Sequence, residues 1–145
     1  MRIITSLILI GLLWYMGAKP IIAEYYFTQF NKFGAIQEKN ILRAVKFDPC
    51  SQHTFHAGRF YLKKDPIKAS RYLDDTIRNF NGDLTLWSIW FYKGLNDYSQ
   101  GRLLEARADF ERCLYYWPGF TPAKENLSGV SEIISKNDKV LIRIR

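Results

Sequence analysis

Residues 90 to 118 read WFYKGLNDYSQGRLLEARADFERCLYYWP. Small residues fall at set places among large aromatic ones. Gly94 follows Trp90 by one helical turn, Ala106 follows Gly101, and Phe110, Cys113 and Pro118 come after. An active site has no use for that spacing, whereas two helices in close contact do. A small residue at the crossing lets the backbones approach, and bulky rings fill the wedge beside it. Proline then ends the second helix, because it cannot continue one. The stretch therefore predicts an antiparallel helix pair, with Gly94 against Ala106 and with Trp90 and Phe110 packed around the contact.

The same punctuation runs through the rest of the chain. Breaks fall at Gly34, Asp48-Pro49, Asp65-Pro66, Asn81-Gly82, Gly101 and Pro118-Gly119, and the segments between them keep a helical period. In CSQHTFHAGRFYLKKDPIKASRYLDDTIRNFNG, residues 50–82, Ala69, Leu73 and Thr76 repeat the offsets of Ala106, Phe110 and Cys113. Earlier, EKNILRAVKFDP supplies Ile41, Ala44 and Pro49. Ala57 takes the small place that Gly94 holds in the later unit. Ala69 and Ala106 stand 37 residues apart. A helical-hairpin repeat of about 34 residues leaves roughly three extra residues around Leu84 to Leu86.

The pattern resembles the tetratricopeptide repeat family, whose units place Trp, Leu-Gly, Tyr, Ala, Phe, Ala and Pro along two antiparallel helices. Trp90, Gly94, Gly101, Ala106, Phe110 and Pro118 match it in one unit. The unit beginning at Cys50 matches through Ala57, Phe60, Ala69 and Leu73, with His53 where the Trp belongs. The unit over residues 18 to 49 has Tyr25 at the small place and fits at Ile41, Ala44 and Pro49. The resemblance spans residues 18 to 120 and implies an all-α solenoid of about three hairpins. One hairpin cannot bury its apolar faces alone, so a capping helix is expected after the last. Thr121-Pro122 is a helix start, and AKENLSGVSEIIS supplies the cap. KVLIRIR at the C-terminus reads either as a short strand or as a frayed basic tail.

The strongest single feature lies at the N-terminus. IITSLILIGLLWYMGA, Ile3 to Ala18, holds no charge. At ~1.5 Å per residue it is about 24 Å long, somewhat short of a ~30 Å hydrocarbon core. Lys19 can snorkel and let the span continue to Ala23. Trp14 and Tyr15 lie near one end, as interfacial aromatics do. A cleaved signal peptide is the alternative, but the apolar stretch is long and its small-residue site poor. The expected organisation is a membrane anchor over 1–20, a repeat domain over 21–136 and a basic tail over 137–145.

Hydrophobic residues make up 48% of the 145 and charged ones 24%, which suits a packed body rather than a polytopic one. The net charge of +7 admits anionic lipid, acidic protein or nucleic acid. Basic residues are spread over every helix instead of interleaving with aromatics on one face, so nucleic acid is not expected. Cys50 and Cys113 form neither a zinc spacing nor a redox pair. His53 and His56, the only histidines, fall at packing positions, so no metal is expected. Asp74 and Asp75 point to different sides of a helix. No nucleotide loop or nucleophile elbow occurs. No cofactor, small-molecule substrate or catalysis is expected.

What remains is the wall of first helices, where the repeat alignment projects Ile22, Tyr26, Phe30, Thr54, Tyr61, Phe91, Leu95 and Tyr98. Of these, Tyr26, Tyr61, Phe91, Leu95 and Tyr98 are the candidate partner-binding residues, on a Tyr-rich groove for an extended peptide or a helix. Ala57, Ala69, Trp90, Gly94, Ala106, Phe110 and Pro118 are the repeat-packing residues. The expected function is a single-pass scaffold or adaptor in a membrane-associated complex. Its expected place is a bacterial inner membrane, with the body in the periplasm. Two alternatives stand beside it. One is an accessory part of a cell-envelope glycan machine, since O-antigen polymerase and ligase-like proteins run a last membrane helix into such units. The other is a secreted module.

Overall fold

Proline and glycine place the helix ends. In the computed structural model, which describes residues 2–32, 37–82 and 84–144, seven helices follow one another. They are α1 (Arg2–Lys32), α2 (Gln37–Phe47), α3 (Ser51–Tyr61), α4 (Pro66–Arg78), α5 (Leu86–Ser99), α6 (Leu103–Tyr116) and α7 (Thr121–Ile144). Pro66 opens α4, where its missing N–H costs nothing, and the Asp65 carboxylate caps it by accepting from the Lys68 backbone N–H at 3.0 Å. Gly101, at φ 73, makes the left-handed turn between α5 and α6. The break expected at Gly34 lies outside the described residues.

The chain is all-α, and no strand occurs among the described residues. Hairpins α1/α2, α3/α4 and α5/α6 make the most extensive contacts, α2 and α4 each pack on the next hairpin, and α7 covers α6. Three buried clusters mark these junctions. Phe27, Ile41, Ala44 and Ala57 tie the first hairpin to α3. Phe55, Leu73 and Ile89 join the second hairpin to α5. Ala106, Phe110 and Cys113 join the third to Ala123 and Val130 of α7.

The close contacts differ in detail from the expectation. A Cβ on Gly94 would lie 2.8 Å from the ring of Phe110, rather than against Ala106, which is buried in the same cluster. In the second hairpin the close residue is Gly58, whose Cβ would lie 2.8 Å from Leu73 Cγ. Ala57, one position earlier, faces the first hairpin instead. Ala69 is wholly buried and Trp90 half-buried, with the Arg112 guanidinium 4.6 Å over the Trp90 ring. Pro118 follows directly on the last turn of α6 and is exposed.

Helix α1 runs unbroken through Pro20, so the apolar segment and the first helix of the repeat body are one element. The C-terminal KVLIRIR is neither strand nor tail but the end of α7, through Ile144. Alternation alone does not make a strand: without a neighbouring edge to pair with, these residues satisfy their backbone N–H groups within the helix. Among the described residues no helix is long and apolar enough to cross a membrane. The side chains of residues 1–10, 13 and 14, which form most of the expected anchor, lie outside them.

Candidate functional site

First helices α1, α3 and α5 lie side by side, and their residues meet level by level. Phe27 of α1 stands 4.9 Å from the rings of both His53 and His56, and Phe30 stands 6.0 Å from Phe60. Phe55 of α3 meets Tyr92 of α5 edge-on at 5.6 Å. Between these rows a shallow groove of about 430 Å³ opens, lined by Phe30, His56, Arg59, Phe60 and Tyr92. All three first helices contribute to it. A second hollow of about 270 Å³ lies between α5 and α7, lined by Tyr98, Glu125, Asn126, Gly129 and Val130.

The groove is aromatic, and Arg59 is the one cation among its lining residues, with Lys64 Nζ 4.0 Å over the Phe60 ring beside it. The Arg59 guanidinium lies 4.6 Å over the Tyr92 ring and 5.6 Å over Phe55. These ring faces hold the charge at the groove while leaving it exposed to a ligand. His56 is pushed down to about 4 by burial and by the nearby charges of Arg59 and His53, so it is neutral at physiological pH. A planar apolar group beside a carboxylate would find both its counterparts here.

The candidate partner-binding residues do not share one surface. Tyr61 is 2% exposed, stacked 5.7 Å from Tyr72, with its hydroxyl donating to Glu38 Oε1 at 2.7 Å. Burial and that acceptor raise its pKa. Phe91 is half-buried against Phe110 and Phe120, and Leu95 belongs to the same cluster. Tyr26 stacks on Phe47 at 6.1 Å, under Arg43. Thr54 is buried and accepts from Thr76 at 3.0 Å across the α3/α4 contact. Tyr98 is 43% exposed and lines the second hollow, Phe30 lines the first, and Ile22 is exposed on α1.

His56, Arg59 and Tyr92 were not among the sequence candidates, yet a signal for them exists. Aligning the second unit on Gly58 instead of Ala57 puts His56 and Tyr92 at equivalent positions, each two residues before its glycine.

Two further clusters carry titratable groups. In the third hairpin, buried Asp97 pairs with Arg102 and lies 3.9 Å from Lys93, which reaches Asp74 at 2.9 Å. Buried Asp109 pairs with Arg112 at 3.1 Å and keeps one oxygen without a hydrogen-bond partner. Burial first, then Asp97, pushes Asp109 up to about 7, against the pull of Lys93 and Arg112. Asn96, Gln100 and Arg102 all donate to Ser70 Oγ, which clamps α4 onto α5 and the turn after it. At the α2–α3 turn, ligand atoms of Asp48, Cys50 and His53 lie within 4.8 Å of one another, a donor set that suits zinc. His53 is engaged on both sides, however: Nδ1–H donates to the Asp48 carbonyl at 2.8 Å, and Nε2 faces Glu24 at 3.8 Å. Metal binding there would have to displace one of these.

The site defines an all-helical hairpin body with an aromatic groove across successive units. A comparison with family models and with curated proteins returns no match.

Proposed function

We propose that this chain is a membrane-anchored scaffold of about three tetratricopeptide-like hairpins that holds a protein partner on its wall of first helices, without catalysis. The observation that carries the reading is the groove of Phe30, His56, Arg59, Phe60 and Tyr92, built by three consecutive first helices. A surface spanning repeats in this way suits an extended peptide or a helix, with aromatic residues and an Arg as anchors. The uncharged run from Ile3 to Ala18 supports the anchor, and the proposal places it in a bacterial inner membrane with the body in the periplasm. Cross-linking from a photoreactive residue at Tyr92, in full chain purified from its own membranes in mild detergent, tests the proposal. A stoichiometric cross-linked protein is expected; a monomer that forms no adduct argues against it.

One observation favours a narrower reading as well. Helix α1 passes from Ala18 through Lys19 and Pro20 into Ile21 without a break. In O-antigen polymerase and ligase-like proteins a last membrane helix runs into tetratricopeptide units in a similar way. If the cross-linked companion is a polytopic glycan polymerase or ligase, the chain is a subunit of that machine.

A further inference from the structure

We propose that the edge of the body carrying the turns between hairpins rests on the bilayer surface, with Tyr115, Tyr116 and Trp117 as its interfacial contact. This rests on the anchor reading above and adds the face that the body turns to the lipid.

The three turns share one edge. Asn79, at the end of α4, donates to the Pro49 carbonyl at 2.9 Å, and Ser51, at the start of α3, donates to Asn81 at 2.9 Å. These bonds join the α2–α3 turn to the α4–α5 turn. At the α6–α7 turn, Trp117 lies 4.7 Å from Trp87 in the first turn of α5 and stacks on Phe120 at 4.8 Å. Helix α1 leaves the body at the same edge. Glu24 reaches His53 near the start of α3, Phe27 reaches His53 and His56, and Phe30 reaches Phe60. The two helices are therefore parallel; Ala23 is wholly buried within the body, and the residues up to Ile21 project past the start of α3. From Ile3 to Ile21 that projection is about 27 Å at ~1.5 Å per residue, close to a ~30 Å hydrocarbon core. A bilayer around it would bring its surface to the turn edge.

The exposed side chains of this edge suit such a surface. Tyr115 is 80% exposed, Tyr116 48% and Trp117 44%, three consecutive aromatics with polar tips. Ring bodies at the acyl boundary with hydroxyl or indole N–H among headgroups are the usual arrangement of Tyr and Trp at membrane interfaces. Tyr25, 59% exposed, stands on α1 next to Glu24, which reaches the start of α3. The opposite edge differs: its α3–α4 turn carries Lys63, Lys64 and Asp65.

The test uses the full chain in phosphatidylethanolamine–phosphatidylglycerol bilayer discs containing a phospholipid with a diazirine near the glycerol. Illumination followed by peptide mass spectrometry should label residues 113–124 as well as 3–18, and leave 61–68 unlabelled. The double variant Tyr115→Ser, Tyr116→Ser should lower the label on 113–124 at least threefold without changing that on 3–18. Label on 3–18 alone, or equal label on 61–68 and 113–124, overturns the proposed face while the anchor stands. Label on neither end overturns the anchor reading and this inference with it.

Discussion

A Cβ on Gly94 would lie 2.8 Å from Cε1 and 2.9 Å from Cδ1 of Phe110, a ring with no exposed surface of its own. The ring is enclosed by α5, α6 and α7 and has nowhere to retreat. Gly94→Ala should therefore destabilise the body by about 1–3 kcal/mol, the usual cost of overpacking, and Gly94→Leu by more. Phe110→Leu makes room at the same place, so Gly94→Ala should cost less in the Phe110→Leu background than in the wild type. Denaturant melts of the four proteins measure this. Additive losses would mean that the two residues do not share the contact.

Asp109 gives stability a pH dependence with a definite sign. Its folded-state pKa lies near 7 against an ordinary 3.8, raised by burial and by Asp97. The folded state thus binds this proton more tightly than the unfolded chain. The associated stability is complete below about pH 4 and is lost as pH rises to about 7. Asp109→Asn keeps an acceptor for Arg112 and removes the titration. Its melting temperature should gain on the wild type between pH 5 and pH 8. An equal difference at both pH values would show that Asp109 is ionised throughout.

His56 acts in the opposite direction. Burial, Arg59 and His53 hold it near 4, below its ordinary 6.5, so between these values the unfolded chain binds the extra proton. Stability from this group is full above about pH 6.5 and falls as pH drops through 4. His56→Gln should lessen acid sensitivity over that window in a thermal-melt series. A variant as acid-sensitive as the wild type would place the loss elsewhere.

The helix ends were legible because proline and glycine act locally. Pro49, Pro66, Gly101 and Pro118 stand at breaks, although Pro20 lies inside α1, and the linker 79–85 between α4 and α5 spans the place near Leu84 where extra residues were sought. Which residues form the groove was less legible, because adjacent Ala57 and Gly58 are both small and both buried. One faces the first hairpin and the other faces Leu73, a distinction set by tertiary contacts. A register error of one residue turns a helix by about 100°, enough to move a projected wall onto its buried side. Tyr61, projected as exposed, is stacked under Tyr72, while Arg59 and Tyr92 were left out. The ionic cluster had a weaker trace: Lys93 and Asp97 are spaced by four, and Asp109 and Arg112 by three, as side-chain pairs on one helix are.

The groove predicts that binding and stability separate cleanly between two neighbouring residues of α3. Arg59 is exposed and lies over Tyr92, so Arg59→Ala should leave the fold intact and remove the one charged side chain that lines the groove. Anchor residues of this type cost about 1 kcal/mol or more on truncation, a loss of roughly fivefold or more in partner affinity. Tyr92→Ala should act in the same direction. Tyr61→Phe, by contrast, removes the hydroxyl that Glu38 accepts from inside the body. That change should lower stability by about 1 kcal/mol, the net worth of one hydrogen bond, and leave affinity unchanged. Partner capture and thermal melts on the same three variants separate the cases. Normal capture by both Arg59→Ala and Tyr92→Ala, with failure at Tyr98→Ala, would move the partner from the α1–α3–α5 groove to the hollow between α5 and α7.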